Sequence, residues 1–304
     1  MLTDLHQHLW TEPLIDALGA RSSLPFVRRT RGVTVLHSAA ELPYVIDLET
    51  ETPARRAGLL RGDRIDRAVV ALSSPIGIEA LDRASALELI GAHLEGVRAL
   101  PEEFLAWGPI PLDGLDPDDV DQVLGPRCAG VSLPAAALAG HEALAESRPA
   151  LERIAELGVP LFVHPGPAPG TVRGEASLTE PLWWRALTDY VAQMQAAWFT
   201  FVTLGRREHP RLEVVFAMLA GGAPLLSERL TTRGGPEIDL RDPLVFYDTS
   251  SYGPAAVEAV ARRIGADRLV YGSDRPVIEP MLTGRETMLA ANGSRVLDRA
   301  GVAV

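Results

Sequence analysis

A (β/α)₈ barrel is the fold this sequence predicts, on three observations. Eight short apolar runs recur along the 304 residues, most of them are continuous rather than alternating, and amphipathic stretches separate them. A continuous apolar run describes a strand covered on both faces, as in a parallel sheet, and eight strand–helix units occupy about 250 residues. An open doubly wound sheet is the alternative, but it calls for a Gly-rich phosphate turn after an early strand, and no GxGxxG occurs.

The first run, residues 2–6, begins almost at the N-terminus, and the second spans residues 68–72. The crossover between them is long and reads as an insertion over the active-site end, about residues 11–65, containing its own hairpin-like pair VTVLHS and YVIDLET. A helical pattern over residues 85–100 precedes the third run, 104–110. DGLDPDDVD, residues 113–121, is acidic enough to suggest calcium, yet it lacks the sixth-position glycine and terminal glutamate of an EF-hand. It reads instead as a helix start, with Asp116 as the cap and Pro117 in the first turn. The fourth run, 130–133, leads through a helical pattern at 151–157 to the fifth, 160–164. A long helical pattern, 180–204, carries Trp183, Trp184, Tyr190, Trp198 and Phe199, a spacing that reads as packing, with Trp184 also a candidate pocket residue. Runs six to eight are 214–219, 245–247 and 268–271, with a helical pattern at 254–264. No internal repeat or pooled linker divides the chain, so one domain over residues 1–304 is expected.

Composition narrows the function classes. The longest apolar runs fall far short of the roughly 20 residues a bilayer span needs. Asp4 and His6 follow Met1 without a basic flank or apolar core, so no targeting segment is expected. A single cysteine, Cys128, rules out an internal disulfide and points to a reducing, cytoplasmic setting. A net charge of −11 disfavours nucleic acid and anionic membranes as partners. All 29 basic residues are Arg, and the sequence contains no Lys.

The chemistry gathers at the ends of the predicted strands. In a strand, residues i and i+2 face the same way about 6.5–7 Å apart, so His6 and His8 of DLHQHLW can converge on one ion. LFVHPGPAP puts His164 at the end of the fifth strand, and LVYGSDRP puts Asp274 at the end of the eighth. Three imidazoles and a carboxylate suit one divalent cation, zinc being the first expectation. His209 lies before the sixth strand, at the stability face, and His37, His93 and His141 read as surface residues.

Through LTDLHQH, FVHPG, EHPRLEVVFAMLAGGAPLLSERL, VFYDTSSYG and IGADRLVYGSDRP, the chain resembles the amidohydrolase superfamily. The branch is that of aminocarboxymuconate-semialdehyde decarboxylase, resorcylate decarboxylase and related hydratases and hydrolases. The resemblance implies His6, His8, His164 and Asp274 as metal ligands, a bound water as nucleophile or proton carrier, and a homodimer. It also implies that Arg229 reaches a substrate carboxylate; the alternative is a surface ion pair with Glu228. Arg275 stands where relatives often have an aromatic residue, and either clamps an anionic substrate or partners an acidic loop. A lysine-bridged binuclear site is excluded, because there is no lysine.

The departure lies in the sixth strand. The family pattern has a histidine before a small residue and two glycines, whereas this chain reads Ala217, Met218, Leu219, Ala220, Gly221, Gly222. Met218 falls at or next to that histidine's place, and a thioether neither takes nor gives a proton. Loss of a positioned base forfeits about 10²–10⁴ in rate, so Asp274, if loosely ligated, becomes the candidate base. Three functions follow. The leading one, motivated by four candidate ligands at three strand ends, is a mononuclear metal-dependent hydrolase using a metal-bound water on a small carboxylated or cyclic molecule. The second is a nonoxidative decarboxylase of an aromatic or muconate-like acid, and the third is a noncatalytic metal- or ligand-binding barrel.

Overall fold

The computed structural model describes all residues except 40, 172–179, 300 and 302–304. Strand β1 (Thr3–Gln7) is fully buried. The insertion follows as the helix Glu12–Ala20, a three-stranded antiparallel sheet of β2 (Phe26–Thr30), β3 (Val33–His37) and β4 (Tyr44–Ile46), and the helix Pro53–Asp63. VTVLHS and YVIDLET supply β3 and β4, paired through Val35 and Val45. The sequence reading left out β2. Its turn to β3 is Arg31–Gly32, with positive φ at both residues (53° and 81°), a tight hairpin turn that an Asn or Asp would have signalled more clearly than Arg does.

The remaining strands are β5 (Arg67–Val70), β6 (Phe104–Pro109), β7 (Cys128–Pro134), β8 (Leu161–His164), β9 (Val214–Phe216), β10 (Val245–Asp248) and β11 (Leu269–Val270). With β1 they form one parallel sheet in the order β1-β5-β6-β7-β8-β9-β10-β11. The ends of that sheet meet, which makes a nearly closed barrel. Leu5 N donates to Tyr271 O (2.9 Å), Asp274 N to His6 O (2.9 Å) and His8 N to Arg275 O (2.7 Å). Asp4 reinforces the seam, its Oδ1 accepting from His6 N (3.1 Å) and Ser273 N (3.0 Å).

Aromatic side chains fill the interior below the site. Trp107 stacks on Phe162 at 5.1 Å and donates its indole N–H to Leu5 O (2.7 Å), so its one polar atom is satisfied. The insertion is anchored to the active-site end by Arg56, which is buried between Glu51 (3.3 Å), Gln7 Oε1 (2.7 Å) and Arg275 O (3.3 Å).

Two helical expectations change. The 180–204 pattern divides into Trp184–Leu187 and Asp189–Thr200, the latter continuing as a π-turn over Phe201–Gly205. The break at Thr188 falls between two pairs of pocket-lining residues, Ala186–Leu187 and Tyr190–Val191, and Val191 packs closely on Gly221, a constraint no local pattern contains. The 151–157 pattern is the end of a longer helix, His141–Leu157, which runs through Pro149. Asp116 caps Pro117–Val123 in a reciprocal capping box with Asp119, as the acidic stretch predicted. His93, expected at the surface, is buried. Among the described residues, no helix is long and apolar enough to cross a membrane.

Candidate metal centre

His6 and His8 leave β1 with their rings 4.9 Å apart, and His164 at the end of β8 stands 4.9 Å from the first and 5.1 Å from the second. The three rings are mutually perpendicular within a few degrees (84°, 86° and 86°), like the faces of a cube corner. One nitrogen from each lies within 4.8 Å of the others. Asp274, at the end of β11, adds Oδ1 at 3.6 Å from His6 Nε2 and 3.3 Å from His8 Nε2.

The outer nitrogen of every ring is already engaged. His6 Nδ1 lies 2.8 Å from Asp248 Oδ2, His8 Nδ1 2.9 Å from Ala71 O, and His164 Nδ1 2.9 Å from Pro165 O. Each of these partners only accepts, so the proton sits on Nδ1 and the Nε2 lone pair faces inward. His6 Nε2 and His8 Nε2 are 3.1 Å apart, and with both Nδ1 atoms protonated that approach brings two acceptors together. A proton on His6 Nε2, or a cation in its place, resolves it: metal bonds of about 2.0–2.2 Å separate neighbouring ligand atoms by about 3–3.5 Å. The donor set therefore fits one divalent ion, which His6, His8 and His164 would hold with Asp274 beside them.

Electrostatics agree with positive charge at this point. Burial works against charge on His6, but Asp248, Asp274 and Asp4 outweigh it and push the ring up to about 9. Burial lowers His164 well below its ordinary value, helped by His6 and His8. Asp274 is raised by burial yet brought down to about 2 by the three histidines, and its Oδ2 accepts from Ser251 Oγ (3.1 Å). Held in that way, Asp274 remains ionised.

Asp248 is the residue that sequence reasoning missed. Its Oδ1 accepts from Met218 N (3.0 Å), Ser250 N (2.9 Å) and Ser250 Oγ (2.5 Å), while Oδ2 orients His6. The available signal was a carboxylate at the end of the seventh barrel strand, in VFYDTSSYG, level with the other strand ends. Gly272 makes the arrangement sterically feasible: a Cβ there would stand 2.9 Å from both Asp248 Cγ and His6 Cβ.

His8, His164 and Asp274 form the floor of a pocket of about 190 Å³ at the C-terminal ends of the strands. Its walls include Ser73, Pro75, Tyr190, Val191, Met218 and Ile278. Met218 is thus placed beside the ligand set. It begins a run of five left-handed residues, with φ of 53°, 50°, 54°, 61° and 75° through Gly222, of which three are not glycine. Such backbone costs about 1–2 kcal/mol per non-glycine residue and tends to persist where surrounding structure holds it in place. Here Met218 N is tied to Asp248, and Gly221 lies so close to Val191 that a Cβ would stand 2.7 Å from its carbonyl oxygen.

The other expected substrate residues are not brought to the pocket. Arg229 is exposed on the helix Ser227–Thr232, and Glu228 pairs with Arg263 (3.2 Å) instead. Arg275 turns outward to Asp63 and to Glu279 (3.0 Å), the acidic-loop alternative. Trp184 is 44% exposed and lies against Trp183. His93 sits behind His8, where burial lowers it to about 3 and keeps it neutral.

The whole fold has solved relatives. The IDCase of Metarhizium anisopliae superposes with a TM-score of 0.79 at 18% identity, over 100% of this chain and 98% of that one. The 2,6-dihydroxybenzoate decarboxylase from Rhizobium gives 0.67 at 18% identity, covering 98% of each chain. The 5-carboxyvanillate decarboxylase of Novosphingobium aromaticivorans, complexed with manganese and 4-hydroxy-3-methoxy-5-nitrobenzoic acid, gives 0.69 at 15% identity, over 98% and 96% of the two chains. No curated protein matches the sequence. A family model described as amidohydrolase matches residues 3–287, and the chain belongs to that family.

Proposed function

We propose that this chain is a metal-dependent nonoxidative decarboxylase of a small monocyclic carboxylic acid. The observation that carries the reading is the pocket: His8, His164 and Asp274 at its floor with His6 directly beneath them, largely apolar walls and a volume of about 190 Å³. That is below the roughly 300–1,000 Å³ of sites for drug-sized ligands. Hydrolysis stands first in the sequence reading; two of the solved relatives named above are decarboxylases, which supports the other order.

A divalent ion bound there supplies positive charge to anchor and polarise an oxygen of the acid. Zinc and manganese both accept this N/O set, and manganese is the ion in one relative. The chain's own residues do the rest. Asp248, Ala71 and Pro165 hold the histidine tautomers, and Ser251 holds the Asp274 carboxylate. Pro75, Val191, Met218 and Ile278 exclude water from the ring of the acid, an environment that favours neutral carbon dioxide over the carboxylate it came from.

The test is carbon dioxide release from a panel of hydroxybenzoic and related ring acids by protein loaded with Mn²⁺ or Zn²⁺. Turnover that disappears with chelator and with His6→Ala is the expected result. Cleavage of lactones or amides without carbon dioxide release overturns it in favour of hydrolysis, and tight binding of acids without turnover in favour of a binding protein.

A further inference from the structure

Met218 carries no exchangeable proton, and Asp274 holds Oδ1 against the histidines and Oδ2 against Ser251, which directs attention to the pocket wall for a proton donor. The helix Asp189–Thr200 supplies a candidate, and it is fixed at two points. Gln193 Oε1 accepts from Gly166 N (2.9 Å), just past His164, and Gln195 Nε2 donates to Gly221 O (2.8 Å), just past Met218. The first turn of this helix is thereby held at the gap between those two loops, where Tyr190 joins the pocket wall. The Tyr190 hydroxyl lies 2.5 Å from Glu41 Oε1, a carboxylate contributed by the insertion from 149 residues away.

We propose that Tyr190 exchanges the proton with the substrate in this pocket, and that Glu41 behind it supplies and receives that proton. The assignment rests on the decarboxylase reading. In the step, the bond between ring carbon and carboxyl carbon breaks, carbon dioxide leaves, and the electron pair stays on the ring carbon. That carbon takes the Tyr190 proton, Glu41 reprotonates the tyrosine oxygen, and solvent reprotonates Glu41. One proton is consumed for each carboxylate lost, so the step balances.

The surroundings suit the task. Burial raises the Glu41 carboxyl above its ordinary range, so it retains a proton at higher pH than an exposed glutamate does; the Tyr190 hydrogen bond and Arg185 oppose this and Asp189 reinforces it. Burial, Glu41 and Asp274 keep the Tyr190 hydroxyl protonated until it donates, against a smaller pull from Arg185.

The experiment compares wild type, Tyr190→Phe, Glu41→Gln and Glu41→Asp on whichever ring acid the metal-loaded wild type decarboxylates. Glu41→Gln keeps an acceptor oxygen for the tyrosine but carries no transferable proton, which separates relay from tether. Expected is a fall in kcat of about 10²-fold or more for Tyr190→Phe and about 10-fold or more for Glu41→Gln. KM and metal content stay within about threefold, and Glu41→Asp recovers part of the rate. Wild-type kcat in Tyr190→Phe overturns the proposal alone, as does a loss explained by released metal or by KM. Wild-type kcat in Glu41→Gln overturns the role of Glu41. A wild type that decarboxylates no acid overturns the functional reading and this assignment with it.

Discussion

Replacing Asp248 by Asn tests the metal centre through a residue that touches no ion. Asp248 Oδ1 receives three donors, Met218 N, Ser250 N and Ser250 Oγ, and Oδ2 receives one, His6 Nδ1. An asparagine has to keep its carbonyl oxygen toward the three donors, because turning the NH₂ toward them leaves Ser250 N without an acceptor, at about 1–3 kcal/mol, and Met218 N with Ser250 Oγ alone (3.3 Å). The NH₂ then faces His6 Nδ1, which becomes an acceptor, and the ring proton moves to Nε2. That is the atom 3.1 Å from His8 Nε2 and 3.6 Å from Asp274 Oδ1, so one of the four acceptors is lost to the cation. Changes to such supporting partners typically cost 10–100-fold in metal affinity, about 1.4–2.7 kcal/mol, and tautomer inversion places Asp248→Asn at or beyond the upper end. Competition against a coloured chelator with Mn²⁺ and Zn²⁺ measures it. Ser250→Ala removes the hydroxyl from Asp248 Oδ1, His6 Nδ1 (3.2 Å) and Met218 N (3.3 Å) but leaves Asp248 Oδ2 on His6 Nδ1, so the tautomer holds and the cost should be smaller. Wild-type affinity in Asp248→Asn would refute the tautomer argument.

Other expectations follow from neighbouring features. Gly272→Ala places a Cβ 2.9 Å from His6 and Asp248, and overpacking of that kind costs about 1–3 kcal/mol; urea denaturation and metal content should fall together. Glu79 is pushed up to about 7 from 4.5 by burial, with Ser74 its hydrogen-bond partner at 2.5 Å. Because its folded value exceeds its unfolded one, the carboxyl costs nothing below 4.5, and the penalty grows up to about 7, reaching ~3 kcal/mol at 1.36 kcal/mol per pH unit. Glu79→Gln, neutral throughout, should therefore gain stability relative to wild type at pH 8 but not at pH 4.5; equal differences in urea at both pH values would contradict this. Arg56→Ala strands the buried Glu51 carboxylate and should destabilise by about 3–5 kcal/mol, read as a lower urea midpoint.

The convergence of His6, His8, His164 and Asp274 was readable because each member announces itself locally. HxH in an extended strand, a histidine before Pro-Gly, and an aspartate after a β-branched run are properties of a few adjacent residues, and strand order alone places them at one end of a barrel. The supporting atoms were not readable. Asp248 looks like any polar residue closing a strand until β10 and β11 bring it against His6. Arg275 looks like a substrate clamp until the insertion presents Asp63, and His93 looks like a surface residue until helix Arg83–Arg98 turns it toward His8.

What the sequence by itself determined is the barrel, through the number and continuity of its apolar runs, and the identity of the four inward acceptors, through residue type at strand ends. The tertiary structure alone decided which nitrogen of each histidine faces the cation, since that depends on acceptors between 1 and 242 positions away in the chain. It also decided what stands beside Met218. Tyr190 and Glu41 belong to separate excursions from the barrel, and only closure of the sheet brings them to one rim, because long-range contacts are set by how the elements pack and not by any local preference of the segments that carry them.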